Sequence, residues 1–231
     1  MSIIIQAQKI VKSYHSGGSE LVVLRGLDFE AKRGEFVSIT GRSGSGKSTL
    51  LYQLGLLDHP NSGGIIIDGV DILKLNPEER TEFRLKELGY VFQDYALLPE
   101  LTSVENVGLP FLMQGMTKAE ATKKAKEALE KVGLSDKIDN LPSQLSGGEQ
   151  QRVSIARAIS HNPKIIFADE PTANLDSETA AIVLKTFFEL HKEGQTIVMV
   201  THEEEYALQT DRIITLSDGI ITSDTILKGE K

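Results

Sequence analysis

The sequence predicts an α/β protein whose core is built from both ends of the chain, with a helical insertion between about residues 94 and 160. Apolar runs typical of strands, such as EFVSIT and TIVMVT, occur near both ends, and unbroken runs suit strands of a parallel sheet that are covered on both faces. Between about Pro77 and Ile159 the apolar residues recur mostly at helical spacing. We therefore expect a single domain in which residues 1–93 and 161–231 form the α/β core and residues 94–160 a helical subdomain.

The N-terminal part is predicted to begin with strands. The runs IIIQAQKIVKSY and LVVLRGLDFEAK alternate imperfectly between apolar and polar residues, which leaves His15–Glu20 as a Gly/Ser turn. The run EFVSIT stops at Gly41, and beyond Lys47 leucines return at helical spacing. A strand, a Gly-rich loop and a helix are thus expected in that order.

The middle of the chain is predicted to be mostly helical. Helical periodicity is found over Pro77–Leu88, Lys118–Val132 and Gly147–Ser160. Thr117 and Glu120 have the spacing of a capping box. The last third returns to the strand-like runs KIIFAD and TIVMVT, which a helical segment at residues 177–192 separates.

Composition and charge exclude several classes of protein. The 231 residues include 25 Lys and Arg against 33 Asp and Glu, and this net charge of −8 argues against a general binder of nucleic acid. With no cysteine, the chain has no disulfide, thiolate metal site or thiol nucleophile. The start lacks the features of a secretory signal, and the longest charge-free apolar stretch, Val107–Met116, is too short to span a bilayer. We expect a soluble chain that reaches a membrane through a partner.

The strongest chemical signal is the segment GRSGSGKS at residues 41–48, which matches GxxxxGK[ST] between a predicted strand and a predicted helix. Glycines let successive backbone N–H groups close around a polyphosphate, and the helix points the positive end of its dipole at the same anion. Lys47 supplies a point charge for the β- and γ-phosphates, and Ser48 supplies a hydroxyl for Mg²⁺. This segment predicts a site for a nucleoside triphosphate.

A second chemical element follows the apolar run KIIFAD. It places Asp169 and Glu170 at the carboxyl end of a strand, where parallel sheets bind their ligands. Asp169 suits Mg²⁺, directly or through water, and Glu170 suits a general base that polarises the attacking water. His202 follows the run TIVMVT and is a candidate to reach the γ-phosphate or to orient that water.

The segment LSGGEQ at residues 145–150 predicts a second anion site. Ser146 is a candidate N-cap with Glu149 as its capping-box partner, and Gly147 and Gly148 leave the donors of a helix start uncovered. This segment lies about a hundred residues from the Gly-rich loop, so one chain is not expected to use both sites together. A two-fold dimer, in which the Ser146 helix of each copy meets the nucleotide of its mate, would solve this.

Together these segments resemble the nucleotide-binding subunit of an ABC transporter, and the resemblance covers nearly the whole chain. In the family's order, the matches are Tyr14 for the A-loop aromatic that stacks on adenine, Gly41–Ser48 for Walker A, Gln93 for the Q-loop, Leu145–Gln150 for the signature, Ile165–Glu170 for Walker B with its catalytic Glu, Asn174-Leu175-Asp176 for the D-loop and Thr201-His202 for the switch His.

The resemblance implies an ATPase with a P-loop NTPase core, a mixed or parallel sheet, an antiparallel N-terminal β part and a helical insertion. ATP and Mg²⁺ are the implied ligands. The implied catalytic residues are Glu170, His202 and Lys47, and the implied metal ligands are Ser48, Gln93 and Asp169. The residues implied in nucleotide binding are Tyr14, Gly41, Arg42, Ser43, Gly44, Ser45, Gly46, Lys47, Ser48, Thr49, Gln93, Ser146, Gly147, Gly148, Glu149 and Asp176.

The implied partners are a second copy of the chain, in an ATP-sandwich homodimer, and an integral membrane permease subunit. That subunit would hold the chain on the cytoplasmic face of the cell membrane. Apolar residues in Tyr95–Pro99 and Leu109–Met113 are candidates either to line a groove for a cytoplasmic helix of the permease or to pack internally.

Three shorter segments resemble the lipoprotein-release and macrolide-export branch (LolD/MacB type), with the cell-division ATPase FtsE and peptide exporters as near relatives. They are GLLDHP at residues 55–60, YVFQ at 90–93 and LLPELT with VENV at 97–107. Arg42 departs from the Pro that this branch often has, in the variable part of the loop.

This resemblance implies a motor for export or extraction of lipoprotein, peptide or drug-like cargo. The alternatives are force transmission in cell division and a soluble ABC ATPase of translation or DNA repair, although the chain has neither two cassettes nor a long coiled-coil insertion. A GTPase is disfavoured because the sequence contains no Asn-Lys-x-Asp motif.

Overall fold

The computed structural model describes residues 2–16 and 19–227. The strands are β1 Ile3–Ser16, β2 Ser19–Lys32, β3 Phe36–Thr40, β4 Ser62–Ile67, β5 Val70–Asp71, β6 Leu88–Val91, β7 Ile165–Asp169, β8 Thr196–Val200, β9 Arg212–Ser217 and β10 Ile220–Ile226. The helices are α1 Lys47–Leu54, α2 Pro77–Glu87, α3 Ser103–Met113, α4 Lys118–Lys131, α5 Gly147–Ile159, α6 Ser177–Lys192 and α7 Glu204–Ala207, with a short 3₁₀ helix at Pro142–Gln144.

The chain packs as two compact units. The first combines Met1–Thr81 with Gly194–Lys231, and the second is Glu82–Glu193. The predicted helical subdomain, residues 94–160, falls inside the second unit and its boundaries stay a prediction.

The first unit contains an antiparallel sheet and part of a mixed one. In the antiparallel sheet the strand order is β2-β1-β4-β5. In the mixed sheet β3 lies between β8 and β9 and runs parallel to both, while β10 pairs antiparallel with β9. All five residues of β8 are buried. The unbroken apolar run TIVMVT is explained by this burial on both faces.

The predicted turn at His15–Glu20 is wrong in its extent. His15 pairs with Glu20, and Ser16 pairs with Ser19, so both strands continue further than the apolar pattern does. Strand pairing is made by backbone groups, and it persists where exposed polar side chains hide the alternation. Gly17 and Gly18 lie outside the described residues.

The second unit contains the parallel pair β6 and β7 and the helices α3 to α6. Every residue of β7 is buried, and α4 buries one face through Ala121, Ala125 and Leu129. Glu105, Glu120 and Glu149 each complete a capping box at the start of α3, α4 and α5. The box predicted at Thr117 and Glu120 is therefore confirmed.

The strand β6 was not predicted. Leu88, assigned above to the end of a helix, is its first residue, and α2 ends at Glu87. Four residues are too few for a periodic pattern to distinguish a strand from a buried helical turn. Gly89 is needed here because a Cβ at that position would lie 2.5 Å from the carbonyl oxygen of Ala158.

The fold class predicted from the sequence is confirmed, since the structure combines helices, a mixed sheet and an antiparallel N-terminal sheet. In the described part of the chain, no helix combines the length and the apolar character that crossing a bilayer requires.

Candidate functional site

The Gly-rich loop lies between β3 and α1 and contains glycines in conformations that L side chains rarely adopt. The φ angle is +142° at Gly41, +78° at Gly44 and +101° at Gly46. A Cβ at Gly41 would lie 2.1 Å from the carbonyl oxygen of Leu216 in β9. Glycine is required here by both backbone angle and space, and the loop path is thereby fixed.

Lys47 points back into this loop. Its Nζ donates to the carbonyl oxygens of Gly41, at 3.0 Å, and Arg42, at 3.1 Å, and the residue is 6% exposed. The hydroxyl of Ser45 is buried and has no hydrogen-bond partner among residues 2–16 and 19–227. A cation in the centre of a glycine loop, with an unpaired hydroxyl beside it, fits an oxygen-rich anion such as a polyphosphate.

His202, the predicted switch His, follows a strand that ends at the same sheet edge as the Gly-rich loop. Ile39 in β3 pairs with Val200 in parallel β8, and the N–H of Thr201 donates to the carbonyl oxygen of Ile39 at 3.1 Å. The carboxyl ends of β3 and β8 therefore emerge side by side, one leading into Gly41 and the other into His202. His202 is exposed.

Tyr14, the predicted adenine-stacking residue, lies near the end of β1 with 42% of its surface exposed. Its hydroxyl donates to Oδ2 of Asp58 at 2.9 Å. Burial raises the pKa of Tyr14, and the Asp58 carboxylate raises it further. An exposed ring held at its hydroxyl end suits stacking against a planar base.

In the second unit, the Q-loop and the Walker B residues are neighbours. Val91 in β6 pairs with Ala168 in parallel β7. Asp169, the last residue of β7, and Gln93, two residues beyond β6, therefore follow this pair at the same edge of the sheet. Asp169 is 7% exposed. The side-chain amide of Asn174 in the D-loop donates to the carbonyl oxygen of Gln93 at 3.0 Å. The structure therefore places three of the family motifs together in this unit.

Glu170, the predicted general base, has a backbone φ of +44° immediately after β7. Such a left-handed conformation is uncommon for a residue with a side chain and is often found at functional sites. The conformation turns the chain sharply between Asp169 and the buried Pro171.

The signature segment begins α5 as expected. Ser146 is the N-cap: its side chain accepts from the N–H of Glu149 at 3.3 Å, and its own N–H donates to Glu149 Oε2 at 2.8 Å. This hydrogen bond to the Ser146 backbone is the main cause of a lowered pKa at Glu149, with Lys137 adding to it. Glu149 is thus ionised at the positive end of the helix.

The two signature glycines have a role in packing that the sequence did not indicate. A Cβ at Gly148 would lie 2.0 Å from Cγ2 of Thr179, and one at Gly147 would lie 2.9 Å from the hydroxyl of Tyr95. Thr179 belongs to α6, where its N–H and hydroxyl donate to the N-cap Asp176. The glycines allow α5 and α6 to start close together.

Sequence reasoning missed three polar groups of the second unit. Gln151 in α5 is fully buried, and its Nε2 donates to the carbonyl oxygens of Phe92, at 3.3 Å, and Pro171, at 2.8 Å. It therefore ties the signature helix to the residues before the Q-loop and after Walker B. A detectable signal existed, because Gln151 lies at helical spacing from the apolar residues Ile155 and Ala158.

The other two groups are Arg157 in α5 and Asn106 in α3. The guanidinium of Arg157 donates to the carbonyl oxygens of Tyr95 and Ala96, at 3.0 and 2.6 Å, where both residues have positive φ. The side chain of Asn106 bonds the backbone of Leu98 and the carbonyl oxygens that follow at Leu101 and Thr102. The segment after the Q-loop is thus held through its main chain.

The apolar residues that are candidates to line a groove for a permease helix differ in exposure. Leu98, Leu112 and Met113 are exposed, whereas Phe111 is buried. Part of the apolar sequence in these two segments therefore packs internally, as one of the two interpretations held, and part of it faces outward.

Among the described residues no group of three or more His, Cys, Asp or Glu side chains could hold a metal ion. In proteins Mg²⁺ is usually bound by one or two carboxylates together with substrate phosphates and water. The predicted ligands have suitable chemistry: Ser48 offers a hydroxyl, Gln93 an amide oxygen and Asp169 a carboxylate.

Residues 24–173 match the family model described as ABC transporter. The chain belongs to this family. This chain, called the cassette below, is 48% identical to the lipoprotein-releasing system ATP-binding protein LolD of Legionella pneumophila, over 94% of the chain and 96% of that protein. It is 48% identical to the macrolide export ATP-binding/permease protein MacB of Campylobacter fetus, over 96% of the chain but 34% of that protein. The cassette thus spans about a third of the length of MacB.

A solved structure supports the same conclusion for the fold. A dimeric ATP-binding cassette in a post-hydrolysis state, bound to ADP and Pi, matches with a TM-score of 0.91 and 40% identity, over 98% of this chain and 100% of that one. The predicted resemblance to ABC transporter subunits, and to the LolD/MacB branch among them, is confirmed. The cassette is an ATP-binding ABC ATPase.

Proposed function

We propose that the chain is the ATP-hydrolysing motor subunit of an ABC transporter, which drives a separate membrane subunit through ATP-dependent closure of a homodimer. The observation that supports this most is the glycine loop around Lys47, since its cation, backbone angles and unpaired hydroxyl suit a triphosphate. The similarity to a dimeric cassette bound to ADP and Pi supports hydrolysis and dimer formation.

In the first unit, substrate binding is divided between base and phosphates. Tyr14 stacks on adenine, and the loop Gly41–Thr49 encloses the phosphates. Lys47 exchanges its two carbonyl contacts for phosphate oxygens and so neutralises negative charge that develops during transfer. His202, on the neighbouring strand end, hydrogen-bonds the γ-phosphate or the attacking water.

In the second unit, Glu170 accepts the proton of the attacking water, and Gln93 and Asp169 would be ligands of Mg²⁺. In the first unit, Ser48 would be a ligand of Mg²⁺. When bound, Mg²⁺ neutralises phosphate charge and fixes the phosphate geometry. Ser146, Gly147, Gly148, Glu149 and Asp176 act on the nucleotide of the partner copy. Ser146 contributes an uncovered helix start, which favours the γ-phosphate of that nucleotide.

We infer that the transporter belongs to the export or extraction type. The relatives LolD and MacB are named for lipoprotein release and macrolide export, and lipoprotein, peptide or drug-like cargo is proposed on that basis. The cassette would bind the cytoplasmic face of the membrane through an integral permease subunit. Exposed Leu98 and Met113 are candidates for that contact, because they follow the Q-loop and end α3.

The test is the variant Glu170→Gln, which keeps the size of the side chain and removes its basicity. We expect ATP binding to be retained, hydrolysis to fall by at least about a hundredfold, and a stable ATP-bound dimer to accumulate. The dimer would be measured by light scattering after size exclusion, and turnover by phosphate release. Normal turnover by this variant would remove Glu170 from its proposed role.

Two further variants test nucleotide binding and dimer formation separately. Lys47→Ala should lose nucleotide affinity, so unchanged ATP binding would contradict the loop assignment. Ser146→Arg, combined with Glu170→Gln, should bind ATP as a monomer and fail to dimerise. Dimer formation by that double variant would contradict the site shared between copies.

A further inference from the structure

Asp58, just beyond α1, makes hydrogen bonds that none of the family motifs described above explains. Its Oδ1 accepts from Lys12 Nζ at 2.8 Å and from the N–H of His59 at 2.7 Å. Its Oδ2 accepts from the hydroxyl of Tyr14 at 2.9 Å and from Gln53 Nε2 at 3.0 Å. A carboxylate has about four lone-pair sites, so the acceptor capacity of Asp58 is fully used.

The charge state of Asp58 is fixed by these contacts. Burial raises the pKa of its carboxyl, but the hydrogen bonds, from Lys12 above all, outweigh burial and lower the pKa to about 2. The Lys12 side chain is 11% exposed and the Asp58 side chain 31% exposed, so the ion pair is partly withdrawn from water. Asp58 therefore stays an anion, and it accepts the Tyr14 hydroxyl hydrogen at any physiological pH.

Lys12 and Asp58 hold the Tyr14 ring from two directions. The Lys12 ammonium lies 4.9 Å from the ring centroid, within the range of a cation–π contact. The ring nonetheless keeps 42% of its surface exposed. Contact with the ammonium and a hydrogen bond at the hydroxyl together restrict both the tilt and the rotation of the ring.

The same contacts connect the ring to the phosphate-binding loop. Gln53 and Thr49 are both in α1, the helix that begins at Lys47. Gln53 is fully buried, and its Nε2 donates to the Asp58 oxygen that also accepts the Tyr14 hydroxyl hydrogen. The Thr49 side chain, also in α1, is near enough to lower the pKa of Tyr14. The ring is thus fixed relative to the helix that follows the loop, and not merely to its own strand.

We propose that Asp58 is a positioning residue for base recognition: it holds the Tyr14 ring at a set distance from the phosphate loop, so that a purine base and its triphosphate bind together. The inference rests on the proposed function, because it takes Tyr14 to stack on adenine. It assigns the choice of a base-bearing ligand over a bare polyphosphate to a residue outside the nucleotide-binding motifs.

The test compares ATP with inorganic tripolyphosphate, which lacks the base, by calorimetric titration. Asp58→Asn should weaken ATP binding by a factor of about 3 to 10, the range for one ordering hydrogen bond, and leave tripolyphosphate binding unchanged. Tyr14→Phe keeps the ring and the Lys12–Asp58 pair but loses the hydroxyl, so it should show the same loss. The double variant should lose no more than either single one, because both changes remove one interaction.

Asp71→Asn is the matched control, since Asp71 also pairs with a lysine of the first unit, Lys74, at 2.8 Å on the surface. It should change neither affinity. Thermal melts show whether Asp58→Asn folds, and if it does not, Tyr14→Phe carries the test alone. Wild-type ATP affinity in Tyr14→Phe, or an equal loss for ATP and tripolyphosphate, would overturn the inference.

Failure of the proposed function gives a different pattern. If the wild-type chain bound ATP no more tightly than tripolyphosphate, or if Lys47→Ala bound both normally, the nucleotide site itself would be rejected, and the inference with it. If Tyr14→Ala lost ATP selectivity while Tyr14→Phe kept it, stacking would stand and the role of Asp58 would be rejected.

Discussion

At the residue scale, single side chains of the second unit hold loops whose backbone conformation is unusual. Glu170, Tyr95 and Ala96 all have positive φ, and carbonyl oxygens beside them accept hydrogen bonds from Gln151 and Arg157. Left-handed residues with side chains cost energy, and they persist when the surrounding contacts determine them. The proposed general base is thus placed by contacts that the motif around it does not contain.

These residues also show how far the sequence predicts the site. Lys47, Asp169 and Glu170 are predicted as site residues because their types and spacing suit phosphate and metal chemistry. Gln151 and Asp58 were missed because their importance depends on which carbonyls and hydroxyls lie beside them in space. A pattern along the chain carries no information on such contacts between distant segments.

A prediction at this scale concerns Gly148. Gly148→Ala adds a Cβ 2.0 Å from Thr179 Cγ2, and we expect it to lower the free energy of unfolding by about 1 to 3 kcal/mol, as overpacking does. Thr179→Ser removes Cγ2 and keeps the hydroxyl that bonds Asp176. The double variant should therefore recover most of the loss in urea unfolding. Equal instability of the single and double variants would show that the contact with Thr179 is not the cause.

At the element scale, α3, α4 and α5 begin with the same device. Thr102, Thr117 and Ser146 each cap a helix and exchange hydrogen bonds with a glutamate in its first turn. A capping box involves residues only three positions apart, so the sequence alone predicts the boxes at Thr117 and Ser146. The short strand β6 was not predicted, because its identity depends on pairing with β7 across a long separation in the chain.

The capping boxes predict a dependence of stability on pH. The pKa of Glu105 is lowered mainly by the hydrogen bond from the backbone N–H of Thr102. The pKa of Glu120 is lowered mainly by the hydrogen bond from the Thr117 side chain. A lowered pKa in the folded state means that the stabilisation is present above the ordinary value of 4.5 and is lost as the pH falls through the folded-state pKa. The urea concentration at the midpoint of unfolding should therefore decrease as the pH is lowered below about 4.5.

The matched variant for that measurement is Glu105→Gln with Glu120→Gln. Gln keeps the reciprocal hydrogen bond of the box and does not titrate. The difference in midpoint between wild type and variant should favour wild type at pH 6 and shrink as the pH is lowered to 3. A difference that stayed constant over this range would contradict the assignment.

At the scale of the whole molecule, the formal charge of −8 per copy matters for assembly. Two copies repel each other at long range, and bound nucleotide adds negative charge to each. Dissolved salt screens this repulsion over a Debye length of about 10 Å at 0.1 M. Short-range contacts within a closed dimer are screened less, because water and ions are excluded from them.

The ATP-dependent dimer of Glu170→Gln should accordingly become more stable as sodium chloride is raised from about 20 to 200 mM. Its dissociation constant would be measured by analytical ultracentrifugation with ATP saturating at each salt concentration. A monotonic weakening with salt would mean that attraction between opposite charges at the interface dominates over net repulsion.

Arg157 and Asn106 hold the segment 95–102 through its main chain, so the course of this segment does not depend on its side chains. Arg157 and Asn106 hydrogen-bond the main-chain carbonyl oxygens of Tyr95, Ala96 and Leu98 and the N–H of Leu98. Every amino acid provides the carbonyl oxygens, and every one but proline provides the N–H. Replacing these three side chains would leave the gripped atoms in place. If the membrane subunit contacts this segment, as proposed for Leu98, changes of side chain here would alter the contact surface and leave the course of the main chain unchanged.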